Sequence, residues 1–233
     1  MKRYAVIVAG GSGSRMKSDV PKQFIEIGGK PVLMHTIDAF KKFDSAIQII
    51  VVLPAAQVEY WNSLCKKFRF EIDHNVVNGG DTRFHSVSNG LALIKEPGIV
   101  GVHDGVRPFV SQETLHNSYT TAEKSGNAVP VIDAFESVRQ TDGKGNRAID
   151  RTTIKLVQTP QVFRSEQLLK AYQTEFKTDF TDDASVVEAA GYSINLVEGN
   201  RENIKITTPF DLSIAESIFK YRIDGITLSY TVN

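Results

Sequence analysis

The stretch Ala5-Val6-Ile7-Val8-Ala9-Gly10-Gly11-Ser12-Gly13-Ser14-Arg15-Met16 decides the fold. Its first part is a short apolar run without polar alternation, the pattern of a strand buried on both faces. Its second part is a glycine-rich turn that carries a cation. Two further β-branched runs follow, Ile47 to Leu53 and Ile99 to His103, and stretches of helical length separate the three. Strands alternating with helices build a doubly wound, mostly parallel α/β sheet, whose ligands sit beyond the carboxyl ends of the strands. The chemistry is expected on that edge.

Working outward, Pro31 to Phe43 places Leu33, Ile37, Phe40 and Phe43 at helical spacing, with Pro31 suited to a first turn. Thr82 to Ile94 and Ser111 to Lys124 also read as helices. Residues 133–157 break the alternation: they are polar and carry the turn Asp142-Gly143-Lys144-Gly145-Asn146 between alternating runs. This segment reads as a protruding β-hairpin arm, too thin to bury its own apolar side chains and therefore expected to pack on a second subunit. Helices are expected from Ser165 to Glu175, from Asp182 to Ala190 before Gly191, and from Pro209 to Arg222, with a strand from Tyr192 to Val197. The tail 223–233 reads either as an added strand or as a loose end. No internal repeat divides the chain, and at 233 residues a single domain is expected.

Lys plus Arg equals Asp plus Glu at 27 each, so no net field draws the protein to nucleic acid or to an anionic membrane. Any phosphate binding must be locally concentrated. Cys65 is the single cysteine, which excludes an internal disulfide and a cysteine-based zinc cluster and fits a reducing compartment. The run Tyr4 to Ala9 is too short for the core of a signal peptide, and no run reaches the roughly 20 apolar residues of a spanning helix. A cytoplasmic location is expected.

Glycines in the turn after the first strand let backbone N–H groups close on an anion, although such a turn can equally serve tight packing. The run lacks the third glycine or alanine of the dinucleotide fingerprint, and no Gly-x4-Gly-Lys-Ser/Thr phosphate loop exists. What remains is a glycine turn with Arg15 and, just beyond, Lys22 in Pro21-Lys22-Gln23. A second turn, Asn78-Gly79-Gly80-Asp81-Thr82-Arg83, either admits a flat base against its backbone or simply starts a helix capped by Asp81 or Thr82. The run Ile99 to His103 ends in Asp104-Gly105-Val106-Arg107-Pro108. Asp104 is placed to hold a ribose hydroxyl or Mg²⁺, and Arg107 either serves substrate or pairs with Asp104. The five histidines are scattered without metal-ligand spacing, and no Asp-x-Asp is present.

Together these blocks resemble a known family. Ala9-Gly10-Gly11-x-Gly13-x-Arg15-Met16 with Pro21-Lys22-Gln23, Gly79-Gly80-Asp81-x-Arg83-x-x-Ser86, His103-Asp104-x-x-Arg107-Pro108, Asp150-Arg151, Gln158-Thr159-Pro160-Gln161, Thr181-Asp182-Asp183-Ala184-Ser185 and Asn203-Ile204-Lys205-Ile206-Thr207 are similar, in order, to the 2-C-methyl-D-erythritol 4-phosphate cytidylyltransferases of the non-mevalonate isoprenoid pathway. The resemblance runs from about Tyr4 to Glu216. It implies a Rossmann-like nucleotidyltransferase fold with a β-arm, a homodimer, CTP and a sugar-alcohol phosphate as substrates, and Mg²⁺. It further implies catalytic roles at the phosphates for Arg15, Lys22 and Lys205. Ala9, Gly10, Gly11, Gly13, Gly80, Asp81, Ser86 and Asp104 are implied around the nucleotide, with Asp104 also near the metal. Arg107, Thr181 and the partner-facing Arg151 are implied on the acceptor side. One departure is visible: Asp133 is followed by Ala134, where the family usually has threonine, so a hydroxyl contact is lost or moved to Ser137.

The chemistry so implied is in-line attack of the acceptor phosphate on the α-phosphorus of CTP, with pyrophosphate leaving and no covalent enzyme intermediate. A phosphate monoester is already anionic, so no general base is required; neutralising charge is the task. The nearest rivals are a ribitol 5-phosphate cytidylyltransferase and, outside enzymes, a nucleotide-binding module that does not turn over. Asp150-Arg151 and the Thr181 to Ser185 run favour methylerythritol phosphate over ribitol phosphate.

Overall fold

The computed structural model of the protein describes residues 1–11, 16 and 20–223. The opening run forms β1 (Lys2–Val8), in which Tyr4 to Ile7 are wholly enclosed. Side chains alternate across its two faces. Ala5 and Ile7 join one core with Leu33, Ile37 and Phe40 of α1 (Val32–Phe43), Trp61 and Leu64 of α2 (Ala55–Lys67) and Leu115 and Tyr119 of α4 (Gln112–Ser125). Tyr4 and Val6 join the other, with Phe84 and Val87 of α3 (Arg83–Leu91), Leu168 of α5 (Ser165–Ala171) and Val186 and Val187 of α6 (Asp183–Ala189). A strand buried on both faces has no polar side to show, which is why the run lacks alternation.

β1 pairs in parallel with β4 (Gln48–Leu53) on one side and with β6 (Gly98–Asp104) on the other. β5 (Asn75–Asn78) extends the sheet beyond β4, again in parallel. Beyond β6, β11 (Gln161–Arg164) runs antiparallel to both β6 and β7 (Asn127–Asp133), and β12 (Leu196–Glu198) pairs with β7 in parallel. The chain therefore moves outward from β1 in one direction and then returns to its other side, placing a topological switch point between β1 and β6. Val8 and Asp104 are register partners there. The Gly105 N–H donates to the Val8 carbonyl at 2.8 Å, and the Ala9 N–H to Val52 at 2.9 Å. A Cβ on Gly105 would stand 2.8 Å from that of Ala9, so this close approach requires glycine.

The arm leaves from β7. β8 (Val138–Thr141) and β9 (Asn146–Ile149) pair, among the described residues, only with each other, Arg151–Thr153 form a 3-10 turn, and β10 (Lys155–Val157) returns along the end of β7. Gly143 at φ 85° makes the hairpin turn, where Asp142 Oδ1 accepts from the Lys144 and Gly145 N–H groups. A small hairpin of β2 (Glu26–Ile27) and β3 (Lys30–Pro31) precedes α1, and α7 (Pro209–Ile223) covers a third, smaller core.

Several expected bounds shift for local reasons. Pro31 caps α1 from outside its first turn, and α3 ends at Leu91 rather than Ile94. α5 tightens into turns after Ala171, short of Glu175. The strand expected from Tyr192 is reduced to Leu196–Glu198 because the Asn127 side chain replaces the ladder: its Nδ2 donates to the Ser193 carbonyl and its Oδ1 accepts from the Asn195 N–H. α7 continues through Ile223, and the remaining tail residues lie outside the described residues. Among the described residues no helix is long and apolar enough to cross a membrane.

Candidate active site

The switch point opens into a cleft walled by Ala9, Gly10 and Gly11 after β1, by Lys22 and Gln23, by Gly80 to Arg83 and Ser86, by Asp104, and by Lys205. Thus the cleft gathers nine of the residues named from the sequence: Ala9, Gly10, Gly11, Lys22, Gly80, Asp81, Ser86, Asp104 and Lys205. Gly13 and Arg15 lie outside the described residues. Arg107, Arg151 and Thr181 do not line the cleft of the single chain.

Each wall has a local cause. A Cβ on Gly11 would lie 3.2 Å from Lys22 Cε and 3.3 Å from its Nζ, so the bare backbone lets the lysine pass over the turn. Lys22 opens a 3-10 turn (Lys22–Phe24) whose next residue, Gln23, is fully buried. Gln23 Nε2 donates to the Ala9 carbonyl at 2.7 Å and to Gln57 Oε1 at 2.6 Å, clamping the lysine's turn to the root of the glycine turn. Across the cleft Ser86 Oγ accepts from the Gly80 N–H at 3.1 Å, and a Cβ on Gly80 would fall 2.5 Å from that of His85. Thr82, not Asp81, caps α3, accepting from the His85 N–H.

Asp104 ends β6 and is ringed by cations. Lys205 Nζ lies 3.0 Å from its Oδ2, Arg107 Nε donates to the same oxygen at 3.2 Å, and Arg83 Nε lies 3.8 Å from Oδ1. Burial by itself would raise the Asp104 pKa, but Arg83, Lys205 and Arg107 outweigh it and hold the carboxyl well below the usual carboxylate range. Arg107 also donates to the Asn203 carbonyl at 2.7 Å, so it ties Asp104 to the segment carrying Lys205. Behind Asp104, His103 is fully buried, which pushes its pKa down to about 4 and keeps the ring neutral. Its Nε2 bonds the Arg107 carbonyl and its Nδ1 bonds Thr159 Oγ1, each at 3.0 Å, while Thr159 Oγ1 accepts the Asp104 N–H at 3.1 Å.

Gln23, Arg83, His103, Thr159 and Asp183 also belong to the walls of the site and their supports, though residue type alone does not mark them. All stood inside the quoted blocks, yet their partners come from distant segments. Arg83 pairs with Asp183, and Arg151, out on the arm, donates to the Phe135 carbonyl at 2.8 Å. Thr181 is exposed just ahead of the Asp182 cap of α6.

Two lysines and a strand-end aspartate facing a glycine turn, without a nucleophile–base pair among them, suit a reaction limited by bringing anions together. With this sheet order they define an α/β nucleotidyltransferase. Residues 4–221 match the family model of 2-C-methyl-D-erythritol 4-phosphate cytidylyltransferase, IspD. The chain is 56% identical over 218 residues to the 2-C-methyl-D-erythritol 4-phosphate cytidylyltransferase of Bacteroides thetaiotaomicron, spanning 94% of this chain and 100% of that one. Among solved structures, that of 4-diphosphocytidyl-2C-methyl-D-erythritol synthase from Anaerococcus prevotii superposes with a TM-score of 0.80 at 28% identity, covering 94% of this chain and 96% of that one. The 2-C-methyl-D-erythritol 4-phosphate cytidylyltransferase from Thermus thermophilus superposes with a TM-score of 0.77 at 32% identity, covering 94% and 100%. The chain belongs to the 2-C-methyl-D-erythritol 4-phosphate cytidylyltransferase family.

Proposed function

We propose that this protein transfers CMP from CTP to 2-C-methyl-D-erythritol 4-phosphate, giving 4-diphosphocytidyl-2-C-methyl-D-erythritol and pyrophosphate. The observation that carries the reading is the convergence of Lys22, Lys205 and Asp104 on the glycine turn of a chain that belongs to this family. An acceptor phosphate oxygen forms a bond to the α-phosphorus of CTP as the bond from that phosphorus to the β-phosphate's bridging oxygen breaks. Pyrophosphate leaves with the electron pair. No proton need move, because the attacking monoester is already anionic. Lys22 and Lys205 neutralise charge on the triphosphate as it redistributes, and the family resemblance gives Arg15 the same role. Gly80, Asp81 and Ser86 frame the base, and Asp104 holds the ribose side.

Among the described residues no cluster of three or more His, Cys, Asp or Glu side chains could hold a metal ion. A lone carboxylate is nevertheless a sufficient protein share for Mg²⁺, which fills its remaining positions with substrate phosphates and water. Asp104 Oδ1, engaged among the described residues by the 3.8 Å contact with Arg83, is the oxygen that fits. When bound there, Mg²⁺ supplies further charge neutralisation on the phosphates.

In this role residues 1–233 form one cytoplasmic domain that works as a homodimer through its arm. Phe135, Leu156 and Val157 stand exposed on or beside the arm, an apolar surface suited to a second copy. Arg151 then grips the acceptor phosphate in the partner's cleft, with Arg107 and Thr181 on the acceptor side of the chain's own. Ala134 is buried at the arm's base and offers no hydroxyl, which leaves exposed Ser137 to supply one. A nucleotide panel tests the donor assignment: pyrophosphate release with CTP, a weak response to UTP and none to ATP or GTP is expected, and equal use of a purine nucleotide would overturn it.

A further inference from the structure

Arg83 sits in the first turn of α3 and lines the cleft, yet its charge is turned away from it. Its two terminal nitrogens donate to Asp183, Nη1 to Oδ1 at 2.9 Å and Nη2 to Oδ2 at 2.6 Å. Asp183 is fully buried, and its Oδ1 also accepts the Tyr172 hydroxyl at 2.7 Å. Asp183 itself cannot drift, because it opens α6 between two fixed points. The Asp182 cap accepts Gln161 Nε2 at 2.7 Å, and Gln161 Oε1 accepts the Ala184 N–H at 2.8 Å. With both terminal nitrogens committed, Nε is what the guanidinium presents to Asp104, 3.8 Å from Oδ1. A line of alternating charge thus runs from Lys205 through Asp104 and Arg83 to Asp183 and Tyr172, joining the ends of β6, α3 and α6.

A half-buried guanidinium doubly bonded to a fully buried carboxylate has one orientation, whereas a carboxylate held only through Oδ2 can turn about its last bond. We propose that Arg83 is a positioning residue for nucleotidyl transfer, fixing the Asp104 carboxylate so that Lys205 faces the triphosphate, and that Asp183 and Tyr172 are its anchor. This rests on the function proposed above for Asp104 and Lys205. Arg83→Lys keeps the charge but loses the fork, so one ammonium cannot serve both Asp183 and Asp104. A displaced group in such a site commonly costs about ten- to a hundred-fold in turnover.

The test is a double-mutant cycle on folded proteins, following pyrophosphate release with CTP. Arg83→Lys is expected to lower kcat about ten- to a hundred-fold with the KM for CTP little changed. Tyr172→Phe, which keeps both charges and removes one bond to Asp183, is expected to fold and to lower kcat several-fold, and it carries the test if Arg83→Lys does not fold. In an Asp104→Asn background neither change should lower kcat further, because the group they position is gone. Wild-type kcat in the folded single variants, or losses that multiply unchanged in the Asp104→Asn background, would overturn the positioning role. Wild-type turnover by Asp104→Asn alone would instead overturn the functional reading on which it stands.

Discussion

Lys205 Nζ lies 3.0 Å from Asp104 Oδ2, so the segment after β12 closes onto the end of a central strand. The lysine side chain is 41% exposed and the aspartate 10%, which puts a cation at the mouth of the cleft and its anchor in the wall. The two residues are far apart in sequence, and near neighbours of each bring them together. Arg107, bonded both to Asp104 and to the Asn203 carbonyl, makes the junction.

Lys205→Met tests the charge at that mouth. The variant keeps the stem and removes the ammonium, and loss of one such electrostatic stabiliser commonly costs about a hundred- to a thousand-fold in turnover. The expected outcome is a folded protein, by circular dichroism, with kcat lowered on that order. A folded variant with unchanged kcat would remove Lys205 from the chemistry.

Gly80→Ala tests the base side. An added Cβ at 2.5 Å from that of His85 forces the turn away from Ser86, whose Oγ now bonds the Gly80 N–H. Steady-state kinetics should show KM for CTP raised much more than KM for the acceptor. Equal effects on both substrates would mean that the turn does not frame the nucleotide.

Stability should fall at mildly acid pH because of His103. The ring is buried neutral with its pKa pushed down to about 4, while in the unfolded chain it titrates near 6.5. Between those values the unfolded state binds the proton and the folded state does not. Stability is therefore full above about pH 6.5 and is lost as pH falls toward 4, by about 3 kcal/mol. Burial also lowers the pKa of His35, which adds loss in the same direction. Urea titrations in EDTA should give a smaller pH dependence for His103→Gln than for the wild type across this window; an unchanged slope would show that His103 is not the group responsible.

Subunit exchange tests the shared site. An Arg151→Ala chain retains Lys22, and a Lys22→Ala chain retains Arg151. If the arm completes the partner's cleft, a mixed dimer has one site with both groups and one with neither. Mixing the two inactive proteins should recover activity towards half of wild type per mixed dimer. Exchange confirmed by native mass measurement without any recovery would place Arg151 in its own subunit's site or outside the reaction.

Much of this architecture is legible in residue order. The unalternating run Tyr4 to Ile7 announces a strand with helices on both faces, and Ala9 to Gly11, Asp104 and the arm fall where their spacing places them. α2 has no clear pattern in the sequence because only Trp61 and Leu64 of its residues are buried, leaving a thin apolar stripe. The length of β12 was unreadable because a side chain of Asn127, far along the chain, takes over its ladder. For the same reason Arg83, Gln23 and His103 carry no functional signal by residue type: each meets a partner that only the fold brings near, Asp183, Ala9 and Thr159 respectively.

The identity of the acceptor decides which reaction the protein runs, and a competition measures it directly. The protein, CTP and Mg²⁺ are incubated with equal concentrations of 2-C-methyl-D-erythritol 4-phosphate and ribitol 5-phosphate, and the nucleotide products are weighed by mass spectrometry. The predicted result is 4-diphosphocytidyl-2-C-methyl-D-erythritol in large excess, matched mole for mole by pyrophosphate; predominance of the ribitol product, or pyrophosphate without either conjugate, would contradict it.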